Sequence, residues 1–249
     1  MNKFKIIIPF YNASKFLDGC INSVLSQKYD NYQAIFIDDA STDDSWEKLP
    51  HGHEKAICIK NDVNLTALEN IHNAIFNHCE PQDLVCLLDG DDTFSNKNVL
   101  SYLNDFYNNP ENNDPWIVYG SCSWTDGRTC FSTPYLEKEF DNIRSSPFRI
   151  SHLRTFRAGL YQSISMQDTE FLCMKDSDKN FYRCTYDVAI MFPMLEMSGF
   201  DRVKHNSKVL YIYNRNNPIS DDKVRQQLQW SIHDEISRKP KFNKIESFK

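Results

Sequence analysis

Three short clusters in this 249-residue chain bring together residue types that can do chemistry: Pro9-Phe10-Tyr11-Asn12, Asp38-Asp39-Ala40-Ser41-Thr42-Asp43 and Asp89-Gly90-Asp91-Asp92. Carboxylates gathered in one place repel one another, so such a gathering calls for a cation or for hydrogen-bond donors between them. Oxygen-only donors suit the hard divalent ions Mg²⁺ and Mn²⁺, whose shells are commonly completed by phosphate oxygens of a bound ligand. A divalent metal carrying a nucleotide would satisfy all three clusters together.

The elements around the clusters decide whether they can meet. Each follows a short apolar run that reads as a β-strand: Lys5–Ile8, Ala34–Ile37 and Leu84–Leu88, with a further strand at Ala56–Ile59. Continuous apolar strands suit a parallel sheet covered on both faces. Helical spacing appears between them, over Ser14–Gln27 through Leu17, Ile21, Val24 and Leu25, over Ala67–Cys79, and as a short helix within Ser41–Leu49. This βαβα order predicts an α/β protein with an open, doubly wound, mostly parallel sheet and helices on both faces. In such sheets ligands sit at the carboxyl ends of the strands, so the clusters share one rim.

A helix (Asn98–Tyr107) and a fifth strand (Trp116–Tyr119) lead into a second half with longer polar loops. There the spacing predicts a helix over Tyr186–Met197 that kinks or restarts at Pro193. A strand at Val209–Tyr213 and a polar helix over Asp222–Ile236 follow. His152-Leu153-Arg154-Thr155-Phe156-Arg157 reads locally as a solvated, salt-bridging helix. With no internal repeat or low-complexity linker, residues 1–249 read as one domain, 1–120 forming the ligand-binding half and 121–249 the opposite wall.

The stretch IIIPFYNASKFLDGCINSVLSQKYDNYQAIFIDDASTDDS, followed by LLDGDD, resembles the N-terminal half of family 2 glycosyltransferases, bacterial and large-virus members included. Several motifs recur in order: P-x-Y-N, S-x-L-x-Q, D-D-x-S-x-D and D-x-D. The resemblance implies a GT-A fold and inverting, metal-dependent transfer of a sugar from a UDP-sugar to a hydroxyl of a glycan, protein or small-molecule acceptor. It implies a nucleotide-sugar site made by Pro9, Tyr11, Asn12, Asp39, Asn64, Asp89, Gly90 and Asp91. Tyr11 would lie against the base, and Asp39 would accept the imide N–H of uracil. Mn²⁺ or Mg²⁺ would be held by Asp91 and Asp92, with Asn217 standing where the family often has a histidine. Asp187 matches the second residue of the family's Glu-Asp pair, with Tyr186 in place of the glutamate, and would be the base that takes the acceptor proton. His152, Arg154 and Arg215 would reach the diphosphate or the acceptor. One departure is the segment Asn64–Asn70, which lacks the glycine and arginine usual there.

Composition narrows the alternatives. A formal charge of -6 with no long Lys/Arg block excludes a dedicated nucleic-acid binder, which must neutralise phosphates. With 41% hydrophobic residues the chain is globular. No apolar run reaches the roughly 18–20 residues a membrane helix requires, and no signal peptide is evident, so a soluble, cytoplasmic protein without membrane insertion is expected. Eight scattered cysteines lack metal-ligand spacing and read as free thiols. Two other functions compete: a non-catalytic nucleotide-sugar-binding module, and a haloacid-dehalogenase-like phosphatase with Asp89 as nucleophile. The second requires its motif after the first strand of the domain, whereas here it follows the fourth.

Overall fold

The computed structural model describes residues 1–130, 132–218 and 220–248. Its strands are β1 (Phe4–Phe10), β2 (Tyr32–Asp38), β3 (Ala56–Lys60), β4 (Leu84–Leu87), β5 (Thr93–Phe94), β6 (Ile117–Trp124), β7 (Thr129–Cys130), β8 (Ser151–Arg157) and β9 (Val203–Tyr213). The helices are α1 (Ser14–Leu25), α2 (Ala67–His78), α3 (Val99–Asn108), α4 (Ala158–Gln162), α5 (Tyr186–Ser198), α6 (Asp221–Val224) and α7 (Gln226–Arg238). Among the described residues all strands join one sheet in the order β3-β2-β1-β4-β8-β6-β9-β5, with β7 paired to β6. Pairing is parallel from β3 through β4 and again between β6 and β9. β8 runs antiparallel between β4 and β6.

The alternation of β1 explains the layering. Ile6 and Ile8 point to the face covered by α1 and α3, whereas Ile7 points to the face covered by α2, α4 and α5. Burying both faces demands the continuous apolar runs seen in the sequence.

Four elements differ from the sequence expectation. Residues 151–157 form β8, in the middle of the sheet, where the expected solvated helix would have left no strand to join β4 to β6. α5 continues through Pro193 without a break, because it is buried almost all round and packing outweighs the missing N–H. The C-terminal helix is two pieces, α6 and α7, parted at Arg225 (φ -132°). Only a 3-10 turn, Trp46–Lys48, forms where a short helix was expected. Among the described residues all eight cysteines are free, and no helix is long and apolar enough to cross a membrane.

Candidate active site

The end of β1 gathers the clusters. The carbonyl of Phe10 accepts from the Asp39 N–H at 2.9 Å, and that of Pro9 from the Gly90 N–H at 3.4 Å. The loops after β2 and β4 are therefore fastened to the strand between them. Gly90 is required by this approach: a Cβ there would lie 2.5 Å from Phe10 Cβ. Asn12 (φ 50°) completes the join, accepting from the Thr42 N–H at 2.8 Å and donating its own N–H to Ser41 at 2.9 Å.

A cleft of about 630 Å³ opens above this junction. From the first half Pro9, Tyr11, Asn12, Asp89, Gly90 and Asp91 line it; from the second come His152, Arg154, Asp187 and Asn217. Tyr11 is exposed at the rim. Asn217 donates its amide to Asp91 Oδ2 at 2.6 Å, joining residues 126 positions apart. The remaining sequence-predicted residues lie outside this wall. Asp39 is buried: Oδ1 accepts from Asn61 (2.9 Å) and from the Leu65 N–H (2.8 Å), and Oδ2 from the Thr66 N–H (3.0 Å). It therefore shapes the turn entering α2, where Thr66 takes the unfavourable φ of 99°. Asn64 is exposed and donates to the Asp39 carbonyl at 3.0 Å. Arg215 stacks on Trp124, its guanidinium 4.9 Å from the ring centre.

Asp92, expected as a further metal ligand, is turned into the core at 1% exposure. Its oxygens accept from Tyr211 Oη at 2.5 Å and from the Asn214 N–H at 2.6 Å, so it ties the acidic loop to β9. Burial, then Asp91 and Asp89, pushes its carboxyl well above the usual range. Asp89 is pushed up to about 6, by burial first and Asp91 second, against the opposing hydrogen bond from Tyr186 and the charge of Arg154. Burial leads both shifts and the neighbouring carboxylates add to them; a divalent cation in the cleft would relieve the second part.

The second half contributes an ion pair to the cleft. Arg154, 5% exposed on β8, pairs with Asp187 at 2.9 Å and leaves Nε without a partner among the described residues. Asp187 lies in the first turn of α5, and its other oxygen accepts from the Val188 N–H at 2.9 Å. His152 stacks on Tyr211, ring centres 4.3 Å apart. Burial and then Arg154 hold its imidazole well below the usual range, so it is neutral at physiological pH. Sequence reasoning missed Tyr211 and the cleft contributions of Tyr182, Arg183 and Arg225. Nothing in their spacing signals a site. Tyr186 did carry a signal, as the departure from the family's acidic pair.

The profile of glycosyl transferase family 2 matches residues 5–165, about two thirds of the chain. The chain belongs to this family. A curated relative, the UDP-Glc:alpha-D-GlcNAc-diphosphoundecaprenol beta-1,3-glucosyltransferase WfaP of Escherichia coli, is 40% identical over 63 residues, 25% of each chain. The chain spans a quarter or less of the length of the first curated relatives it matches. Among solved structures, TarS 1-349 of S. aureus in complex with UDP-GlcNAc superimposes with a TM-score of 0.59 at 17% identity, over 86% of this chain and 59% of that one. The mannosyltransferase PcManGT of Pyrobaculum calidifontis, in complex with GDP-Man and Mn²⁺, gives 0.63 at 14% identity, over 96% and 65%. At these identities the likeness shows the fold, which is of GT-A type. Membership in family 2 leaves the phosphatase alternative without support.

Proposed function

We propose that this family 2 chain is an inverting glycosyltransferase that moves a sugar from a UDP-sugar to an acceptor hydroxyl. The observation that carries the reading is the arrangement of one cleft: Asp89 and Asp91 after β4 on one side, and the Asp187–Arg154 ion pair on the other. UDP as carrier is supported by the UDP donor in the name of WfaP and the UDP-GlcNAc complex of TarS.

The donor set fits a hard divalent ion. Among the described residues no three His, Cys, Asp or Glu side chains form a metal cage; Mg²⁺ and Mn²⁺ are commonly held by one or two carboxylates and completed by a diphosphate. Asp91 would hold it with Asn217 beside it; Asp92 braces the loop. Bound there, Mn²⁺ or Mg²⁺ would offset the charge that develops on the departing diphosphate.

The chain's own residues would do the rest. Tyr11 at the rim offers a face to the base; Asp39 lies behind that wall, and Oδ2, which accepts only from the Thr66 N–H among the described residues, would be the oxygen that takes an imide N–H. Asp187 takes the acceptor proton as the new C1–O bond forms and the C1–O bond to the diphosphate breaks on the opposite face, inverting the anomeric centre. Arg154 fixes Asp187 in orientation. His152 and Arg154 lie where they can meet the diphosphate or the acceptor. The proposed domain is the whole chain, with 1–120 serving the donor and 121–249 the acceptor.

The test is a panel of UDP- and GDP-sugars with Mn²⁺, reading nucleotide release with and without candidate acceptors, plus UMP and CMP as competitors. Turnover of a UDP-sugar with better inhibition by UMP is expected. Binding without turnover would leave a nucleotide-sugar-binding module, and a preference for GDP-sugars would reassign Asp39.

A further inference from the structure

One hydrogen bond crosses the cleft from the acceptor wall to the acidic loop. Tyr186 Oη donates to Asp89 Oδ1 at 2.8 Å, between residues 97 positions apart. We infer that Tyr186 is a positioning residue that fixes Asp89 and, through the adjoining residue of α5, ties the nucleotide-binding loop to Asp187, so that the two walls are set as one unit. The inference rests on the glycosyl-transfer reading for its functional meaning, though the strut itself does not.

Local backbone geometry creates the fork. Thr185 stands in the left-handed region (φ 62°) just before α5, and the next two side chains reach different partners. Tyr186 goes to the loop after β4, and Asp187 to Arg154 on β8. These two strands are neighbours in the sheet, with Leu87 opposite Arg154. The Arg154 guanidinium also lies over the Tyr186 ring, 5.9 Å from its centre. The phenol is thus held at its face by a cation and at its hydroxyl by a carboxylate, while Arg154 holds the next residue.

The two oxygens of Asp89 are then unlike. Oδ1 is committed to Tyr186, whereas among the described residues Oδ2 has only Tyr211 at 3.5 Å, whose hydroxyl makes its short bond to Asp92. Tyr186 therefore leaves Oδ2 as the oxygen for a ligand and stops the carboxylate from turning. A neutral donor is what the site requires. Asp89, Asp91 and Asp187 already line the cleft, and a carboxylate at 186 would add repulsion in place of a bond.

The test uses the full chain with UDP and Mn²⁺ as probes. Hydrogen bonds to charged groups are the stronger ones, and one factor of ten corresponds to the lower end of their range. Tyr186→Phe should weaken UDP–Mn²⁺ binding about tenfold by calorimetry and lower kcat for the donor that turns over, with a fall in melting temperature of no more than about 2 °C. Tyr186→Glu should bind more weakly still. A merely structural tyrosine would lower stability and leave affinity alone. In parallel, urea unfolding of Tyr186→Phe, Asp89→Ala and the double variant, without ligand, should give a coupling factor of several-fold between the two sites. Binding by Tyr186→Phe within twofold of the native chain, or a coupling factor near one, overturns the inference. If the native chain does not bind UDP–Mn²⁺, the glycosyl-transfer reading fails and the unfolding cycle alone decides the strut.

Discussion

Replacing Asp187 by asparagine should separate chemistry from donor binding and from stability. The amide cannot accept the acceptor proton, and a positioned base typically contributes about 10²–10⁴-fold, so kcat should fall by that range. The structure adds a second consequence. Arg154 is buried and its main partner is Asp187, at 2.9 Å, so the substitution removes the negative charge beside it. Deleting one partner of a fully buried pair costs about 3–5 kcal/mol. Here the Asp187 side chain is 26% exposed to the cleft, and the amide oxygen still accepts from Arg154, which reduces the loss to about 1–2 kcal/mol. With about 2 cal/mol/K of unfolding entropy per residue over a chain of this length, 1 kcal/mol corresponds to about 2 °C. The melting temperature should therefore fall by about 2–4 °C. Donor affinity should hold, because the acidic loop is fastened by Tyr186, Tyr211 and the end of β1. Steady-state nucleotide release well below the melting temperature, calorimetry with UDP–Mn²⁺ and a thermal scan measure the three quantities. A kcat within fivefold of the native value would leave Asp187 as a first-turn helix residue. A collapse of UDP–Mn²⁺ affinity in a folded variant would move it to the donor site and send the search for the base elsewhere.

Asp91→Asn should remove most metal-dependent turnover and make UDP affinity nearly insensitive to Mn²⁺; calorimetry with and without chelator reads it, and an unchanged metal effect would place the ion elsewhere. Gly90→Ala should weaken UDP–Mn²⁺ binding with only modest destabilisation, because a Cβ 2.5 Å from Phe10 Cβ must push the loop away from β1; native affinity would show that the loop can yield. His72 makes the fold acid-sensitive: burial, then Lys175, lowers its imidazole from about 6.5 to about 4. The fold thus favours its neutral form, and this contribution is full above about pH 6.5 and lost as the pH falls toward 4. His72→Gln should flatten the decline of melting temperature across that window, and parallel curves for variant and native chain would refute the assignment.

The sequence by itself determined the family, the α/β class and the clusters at the ends of β1, β2 and β4. Those features are written locally: apolar runs mark buried parallel strands, and turn-forming Asp, Asn, Ser and Gly follow each of them. The tertiary structure decided what each acid does. Asp91 faces the cleft and Asp92, its neighbour, faces the core, because Tyr211 and Asn214 approach from β9 and the segment after it, and such partners are invisible to any local pattern. Asp39 follows a buried strand as expected, yet backbone N–H groups of the turn before α2 claim its oxygens. The segment around Arg154 is polar enough to read as a surface helix, and only its slot between β4 and β6 makes it a buried strand. Pro193 reads as a break, and α5 passes it because the surrounding core supplies more than one hydrogen bond withholds. Tyr186 looked like a lost glutamate; across 97 residues of chain it meets Asp89, a pairing that folding alone creates.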